Sequence, residues 1–206
     1  MSEVKAQTVG YYEGVLDLYY ALMKKEDTAA SAAEYDTPKV LAKNIETTIT
    51  PRYREGVLHA SNVAVRRKKQ IAGYDLSVNV DQVLAAVRVE LLGRAVDKNG
   101  VEILKDTQEA PYVAVGFVQT KDNGEKEMWW LYKGKFSESE KKAKTRGDSI
   151  EYQTPTLTAQ FDARYDGSIA AIVDSDGPNV TADVVEKWLT IVYQESAESA
   201  EATTAE

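Results

Sequence analysis

The run from Val15 to Met23 is apolar in both alternating phases, with Leu16, Leu18, Tyr20 and Leu22 in one and Val15, Tyr19 and Ala21 in the other. Such a run predicts a strand covered on two sides. Residues 24–39 are polar and small, close on Thr37-Pro38, and read as a loop. Ile45, Thr47 and Ile49 then alternate with Glu46, Thr48 and Thr50, predicting a strand that stops at Pro51. Residues 52–70 carry no clean period; a long hairpin about Gly56-Val57-Leu58 is the form they suggest. Ala72, Tyr74, Leu76, Val78 and Val80 restore the alternation in a further strand. The period then changes. Leu84, Val87 and Leu91 form a helical stripe, with Asn79 or Asp81 as candidate caps, Gln82 completing a capping box from Asn79, and Gly93 placed as the stop. Asp97-Lys98-Asn99-Gly100 is a turn signal.

The clearest pattern lies in 112–136, where two apolar runs flank Asp122-Asn123-Gly124-Glu125. Read as a two-residue type I′ turn, Asn123-Gly124 pairs Phe117 with Trp130, Val115 with Tyr132 and Gln119 with Met128 on a core face. Gly116 with Leu131 and Val118 with Trp129 then form a second apolar face. Solvent would not normally bathe such a face, so Val118, Trp129 and Leu131 are candidate subunit-interface residues. A charged loop over 137–148 follows. Ile150, Tyr152 and Thr154 are out of phase with Leu157, Phe161 and Tyr165, which predicts a bulge or bend at Pro155. Asp166-Gly167 turns the chain into a strand at 169–173. Beyond Gly177-Pro178, Thr181 caps a second helix with a Val180–Val185 staple and a stripe of Val184, Trp188, Leu189 and Val192. The expectation is a mainly β domain over 1–193, a β-sandwich or half-barrel with two short helices, and a disordered acidic tail over 194–206.

Composition narrows the chemistry. The 206 residues include no cysteine and one histidine, His59, which removes disulfides, thiolate metal sites and histidine-based triads. The opening Met1-Ser2-Glu3-Val4-Lys5 lacks the apolar core of a secretory signal, and no run is long and apolar enough to span a membrane, so synthesis in a cytoplasm without a membrane anchor is expected. No phosphate loop, dinucleotide fingerprint, nucleophile elbow or HExxH is present, and neither an enzyme nor a cofactor is expected. Asp174-Ser175-Asp176-Gly177 resembles the start of a calcium loop but lacks its later ligands, and reads better as a helix-entry turn. Trp129-Trp130-Leu131-Tyr132 could be a sugar-stacking platform; alternating aromatics in a hairpin serve more often as core and interface.

Net charge is −8, and Glu195, Glu198, Glu201 and Glu206 contribute half of it. Against that background Arg66-Arg67-Lys68-Lys69, near Arg52 and Arg54, is a basic island. Three readings compete: a solvated loop, a contact with an acidic neighbouring subunit, and nucleic-acid binding, for which the aromatic interleaving is missing. Four consecutive cations would place two on each face of a strand. A loop leaving the domain avoids burying them, with Glu138 and Glu140 as possible partners on a neighbour.

Several segments, in order over roughly 14–193, resemble the major tail protein (tail-tube protein) family of long-tailed siphophages. They are Leu18-Tyr-Tyr-Ala-Leu22, Thr37-Pro38-Lys39, Leu91-Leu-Gly-Arg-Ala-Val-Asp-Lys-Asn-Gly100 and Ala110-Pro-Tyr-Val-Ala-Val-Gly-Phe117. Trp130-Leu-Tyr-Lys-Gly-Lys-Phe136, Tyr152-Gln-Thr-Pro-Thr156 and Gly177-Pro-Asn-Val180 complete the series. The basic island and the acidic extension after Gln194 depart from that pattern. The resemblance implies a virion structural subunit that forms hexameric rings stacked into a tube. Tape-measure and tail-terminator proteins would be its partners, and double-stranded DNA would pass through the lumen without specific binding. A carbohydrate-binding or adhesin-type β-sandwich of a phage baseplate is the alternative, and a hydrolase on a β scaffold a third.

Overall fold

A computed structural model describes residues 9–60, 63–141, 143–145 and 152–195. The chain is mainly β. Its strands are β1 (Tyr12–Val15), β2 (Leu18–Lys25), β3 (Glu34–Tyr35), β4 (Lys39–Ala42), β5 (Asn44–Ala60), β6 (Val63–Val80), β7 (Ala95–Val96), β8 (Glu102–Ile103), β9 (Val113–Lys121), β10 (Lys126–Ser137), β11 (Thr156–Asp162) and β12 (Ala170–Asp174). The helices are α1 (Ala85–Leu92) and α2 (Ala182–Lys187). One antiparallel sheet of ten strands runs β3-β2-β9-β10-β11-β6-β5; β1 lies beside β9, β12 beside β10 and β4 beside β2. β7 and β8 form a separate small hairpin around Asp97, whose carboxylate accepts from the backbone N–H groups of Asn99 and Val101.

The sheet curls, so that Thr47 and Ile49 of β5 share a cleft with Phe117, Gln119 and Trp129 of β9 and β10. Each face has its own core. Leu18, Tyr20, Leu76, Val78, Val115, Phe117, Leu131 and Phe161 fill one, closed by Val87 and Leu91 of α1. On the other face Ala21, Val118, Met128, Trp130 and Tyr132 are closed by Trp188 and Val192 at and beyond the end of α2. The Trp130 indole donates to the Trp188 carbonyl at 2.8 Å, fastening that end to the sheet. The two-sided apolar run of β2 is explained by these two covers.

The 112–136 hairpin forms, but one residue out of the expected register. Gly124, at φ 82°, follows a turn in which its N–H bonds the Lys121 carbonyl, and Lys121 N–H bonds Glu125 O at 2.9 Å. The loop is therefore the three residues 122–124, ending in a left-handed glycine, instead of the two residues Asn123-Gly124. Phe117 faces Trp129, Gly116 faces Trp130 and Val118 faces Met128. A one-residue slip transfers every side chain to the other face. Trp129 and Leu131 accordingly join the core containing Phe117, whereas Val118 and Trp130 join the opposite one.

Other boundaries shift for local reasons. β5 continues through Pro51 because it is an edge strand, where a missing donor costs no ladder bond. Asn79 stays in β6, paired with Thr156 and Glu46, so it caps no helix; α1 starts at Ala85 without a side-chain cap and ends at left-handed Gly93. Leu84 is consequently exposed, and the buried stripe is Val87 and Leu91. No bulge forms at Pro155: β11 begins just after it, Tyr152 is exposed outside the sheet, and the Pro155 carbonyl accepts from Val80 N–H. Thr181 precedes α2 as expected but makes no side-chain cap.

Candidate subunit interface

β6 pairs with β11 only from Gly73 to Asn79, whereas its pairing with β5 continues to Val63. Residues 52–60 and 63–72 thus form a two-stranded ribbon that leaves the sheet as an arm. The ribbon is the long hairpin foreseen for this region, but Gly56 lies within β5 opposite Lys68 and is not its turn. Its base is clasped by Arg52, at a break in the β5–β6 register. One Arg52 nitrogen, Nη2, donates to Phe161 O at 2.9 Å and to Asp162 at 2.7 Å. Its Nε lies 3.0 Å from Asp75 in an ion pair that lacks hydrogen-bond alignment. Gly73 admits this close crossing; a Cβ there would collide with the Phe161 carbonyl and with the Arg52 guanidinium.

Arg66, Arg67, Lys68 and Lys69 lie in this ribbon, all exposed. They are in a strand and not in a loop. The expected burial penalty does not arise, because neither face of a free ribbon is covered. Alternation divides them. One face carries Arg67 and Lys69 with Tyr53, Glu55, Val57 and Ile71; Lys69 pairs with Glu55 at 3.2 Å and sits 4.1 Å over the Tyr53 ring. Tyr53, Val57 and Ile71 are each more than 40% exposed, an apolar strip on which Lys69 over Tyr53 gives only partial cover. The opposite face carries Arg54, Arg66, Lys68 and Gln70, with no carboxylate in the ribbon on that side. Six basic residues against one acidic give the arm +5, so with −8 overall the rest of the chain carries −13.

The hairpin candidates fare differently from the arm. Val118 and Leu131 are 1% and 0% exposed and face opposite cores, so both are covered within the chain. Trp129 is half-buried, stacked on Phe117 at 5.8 Å with Tyr74 edge-on at 6.4 Å. Trp130 and Tyr132 are buried, which leaves the Trp129-Tyr132 run without an open stacking platform. Glu138, a suggested acidic partner for a neighbour, is instead held by Arg94 at 2.5 Å. Arg94 also bonds Glu102 at 2.7 Å, and Arg88 completes the network. Hydrogen bonds from Arg88 and then Arg94 hold the Glu102 carboxyl down at about 2.

A second electrostatic feature surrounds the 121–126 turn. Asp122, Glu125, Glu127, Asp174 and Asp176 converge there with Lys121 and Lys126. Asp122 accepts from Tyr11 N–H, Glu125 from Ser175, and Glu127 from Tyr12 and the Trp129 indole. Glu127 and Asp174 are directly opposed across β10 and β12, an unfavourable pairing of like charges. Lys121 relieves it by binding Asp174 and lying 3.6 Å from buried Asp176. The Asp174–Gly177 segment is thus a helix-entry turn whose carboxylates surround an ammonium. Among the described residues no group of three or more His, Asp or Glu is arranged to hold a metal, and no helix is long and apolar enough to cross a membrane. No protein-family model matches the chain, and no curated protein matches it significantly.

Proposed function

We propose that this chain is a structural subunit of a phage tail tube, assembling into hexameric rings that stack around a tape-measure protein and later conduct DNA. The observation that carries this reading is the arm. A two-stranded ribbon is marginally stable by itself, and this one contributes neither face to its own core while exposing Tyr53, Val57 and Ile71 beside six cations. Surface of that kind suits a contact with another subunit. An asymmetric contact repeated by rotation closes a ring, and repetition along an axis builds a filament. The resemblance of the ordered motifs between residues 14 and 193 points the same way. A body carrying −13 would repel phosphates, which suits a conduit that DNA must traverse without adhering.

Negative-stain microscopy of the purified protein tests the proposal. Rings or hollow tubes of uniform diameter are expected. A protein that stays monomeric at every concentration, with tryptophan fluorescence that responds to added oligosaccharide, would replace this reading with the adhesin one.

A further inference from the structure

We propose that the cationic face of the arm docks on the acidic 121–126 end of a second copy at the same level, making a contact within a ring. The inference rests on the ring-forming reading above and gives it a specific pair of surfaces. The cationic face presents Arg54, Arg66 and Lys68, side chains that no acidic residue of the ribbon neutralises on that side. The acidic end carries Asp122, Glu125, Glu127 and Asp174 with Lys121 and Lys126, a formal excess of negative charge, and Lys121 is held by Asp174 and Asp176. Complementary fields of this kind steer encounter and fix register.

Strand direction sets the level. β6 and β10 are both antiparallel to β11 and hence run the same way, with Gly73, Asp162 and Lys133 side by side. Followed back from Gly73, the arm heads towards the end of the sheet that holds the 121–126 turn. It does so without pairing to β12, which occupies the next stretch of β10. Arm and acidic end therefore lie at one end of the molecule. A neighbour related by rotation brings its acidic end under the arm, and the operation repeated closes a ring.

The experiment is a charge swap read by sedimentation velocity. Arg66→Glu with Lys68→Glu reverses the arm; Asp122→Lys with Glu125→Lys reverses the acidic end. Each double variant, with its circular dichroism and melting temperature unchanged, is expected to lose the ring species, and a chain carrying all four changes to recover it. Double variants that assemble like wild type, or a fourfold variant that remains monomeric, would overturn this pairing and leave the tube reading standing. A wild-type protein that forms no oligomer would overturn both. A duplex-DNA mobility shift with wild type, lost in the arm variant, would assign the cationic face to a polyanion and overturn the pairing as well.

Discussion

Glu102 shows how much of this molecule depends on individual charged contacts between distant segments. Its carboxylate is shared by Arg88 and Arg94, and Arg94 reaches on to Glu138, so the β7–β8 hairpin, α1 and the end of β10 are tied by one network. Its carboxyl sits near 2 in the folded chain against an ordinary 4.5. A depressed folded value stabilises fully above the unfolded value, and the contribution fades as pH falls from about 4.5 towards about 2. Glu102→Gln should therefore melt lower than wild type at pH 7, and the difference should shrink across that acid window. Parallel melting curves at both ends of the window would show that the network contributes nothing. Trp129 belongs to the same scale. With its ring between Phe117 and Tyr74, Trp129→Ala should cost about 2–4 kcal/mol in denaturant unfolding. Near-wild-type stability would mean that the ring is poorly packed and available to a partner.

At the scale of elements, local patterns were legible and their ends were not. The stripe Val184, Trp188, Leu189 and Val192 was visible by its spacing, and the structure lays it on the sheet against Trp130. The sequence does not mark where that segment stops. Gln194 is not the first residue of a free tail: its amide donates to Ala33 O at 2.9 Å and accepts from Arg164 at 3.0 Å. Arg164 is itself buried and lies 4.2 Å over the Tyr132 ring. Polar residues without an apolar period carry no signal of docking when their partners are 30 and 161 residues away. Truncation after Glu195 should leave the melting temperature nearly unchanged. Truncation after Tyr193 should cost about 1–3 kcal/mol, because it strips a partner from a buried guanidinium. Equal melting curves for the two truncations would remove Gln194 from the structural core.

For the whole molecule, charge is segregated: +5 on the arm and −13 elsewhere. Exposed ion pairs contribute only about 0–1 kcal/mol each, yet a closed assembly repeats every one of them. The proposed assembly should weaken as salt rises, and a chain with Arg66, Arg67, Lys68 and Lys69 all changed to Ser should assemble less at low salt with a flatter salt response. Identical pelleting of the two proteins across a salt series would leave the island a solvated surface. By itself the sequence determined the strand-rich class, the presence of two short helices, the turns at Asp97–Gly100 and Asp166-Gly167, and the basic island, because each is written in residues close together in the chain. The tertiary structure alone decided which face each strand buries, since Asp122-Asn123-Gly124 suits a two- or a three-residue loop and a single slip exchanges the faces. It also decided that the island lies on a ribbon with both faces open. That outcome follows from where β11 stops pairing with β6, at Gly73 beneath the Arg52 clasp, which depends on contacts between segments far apart in the chain.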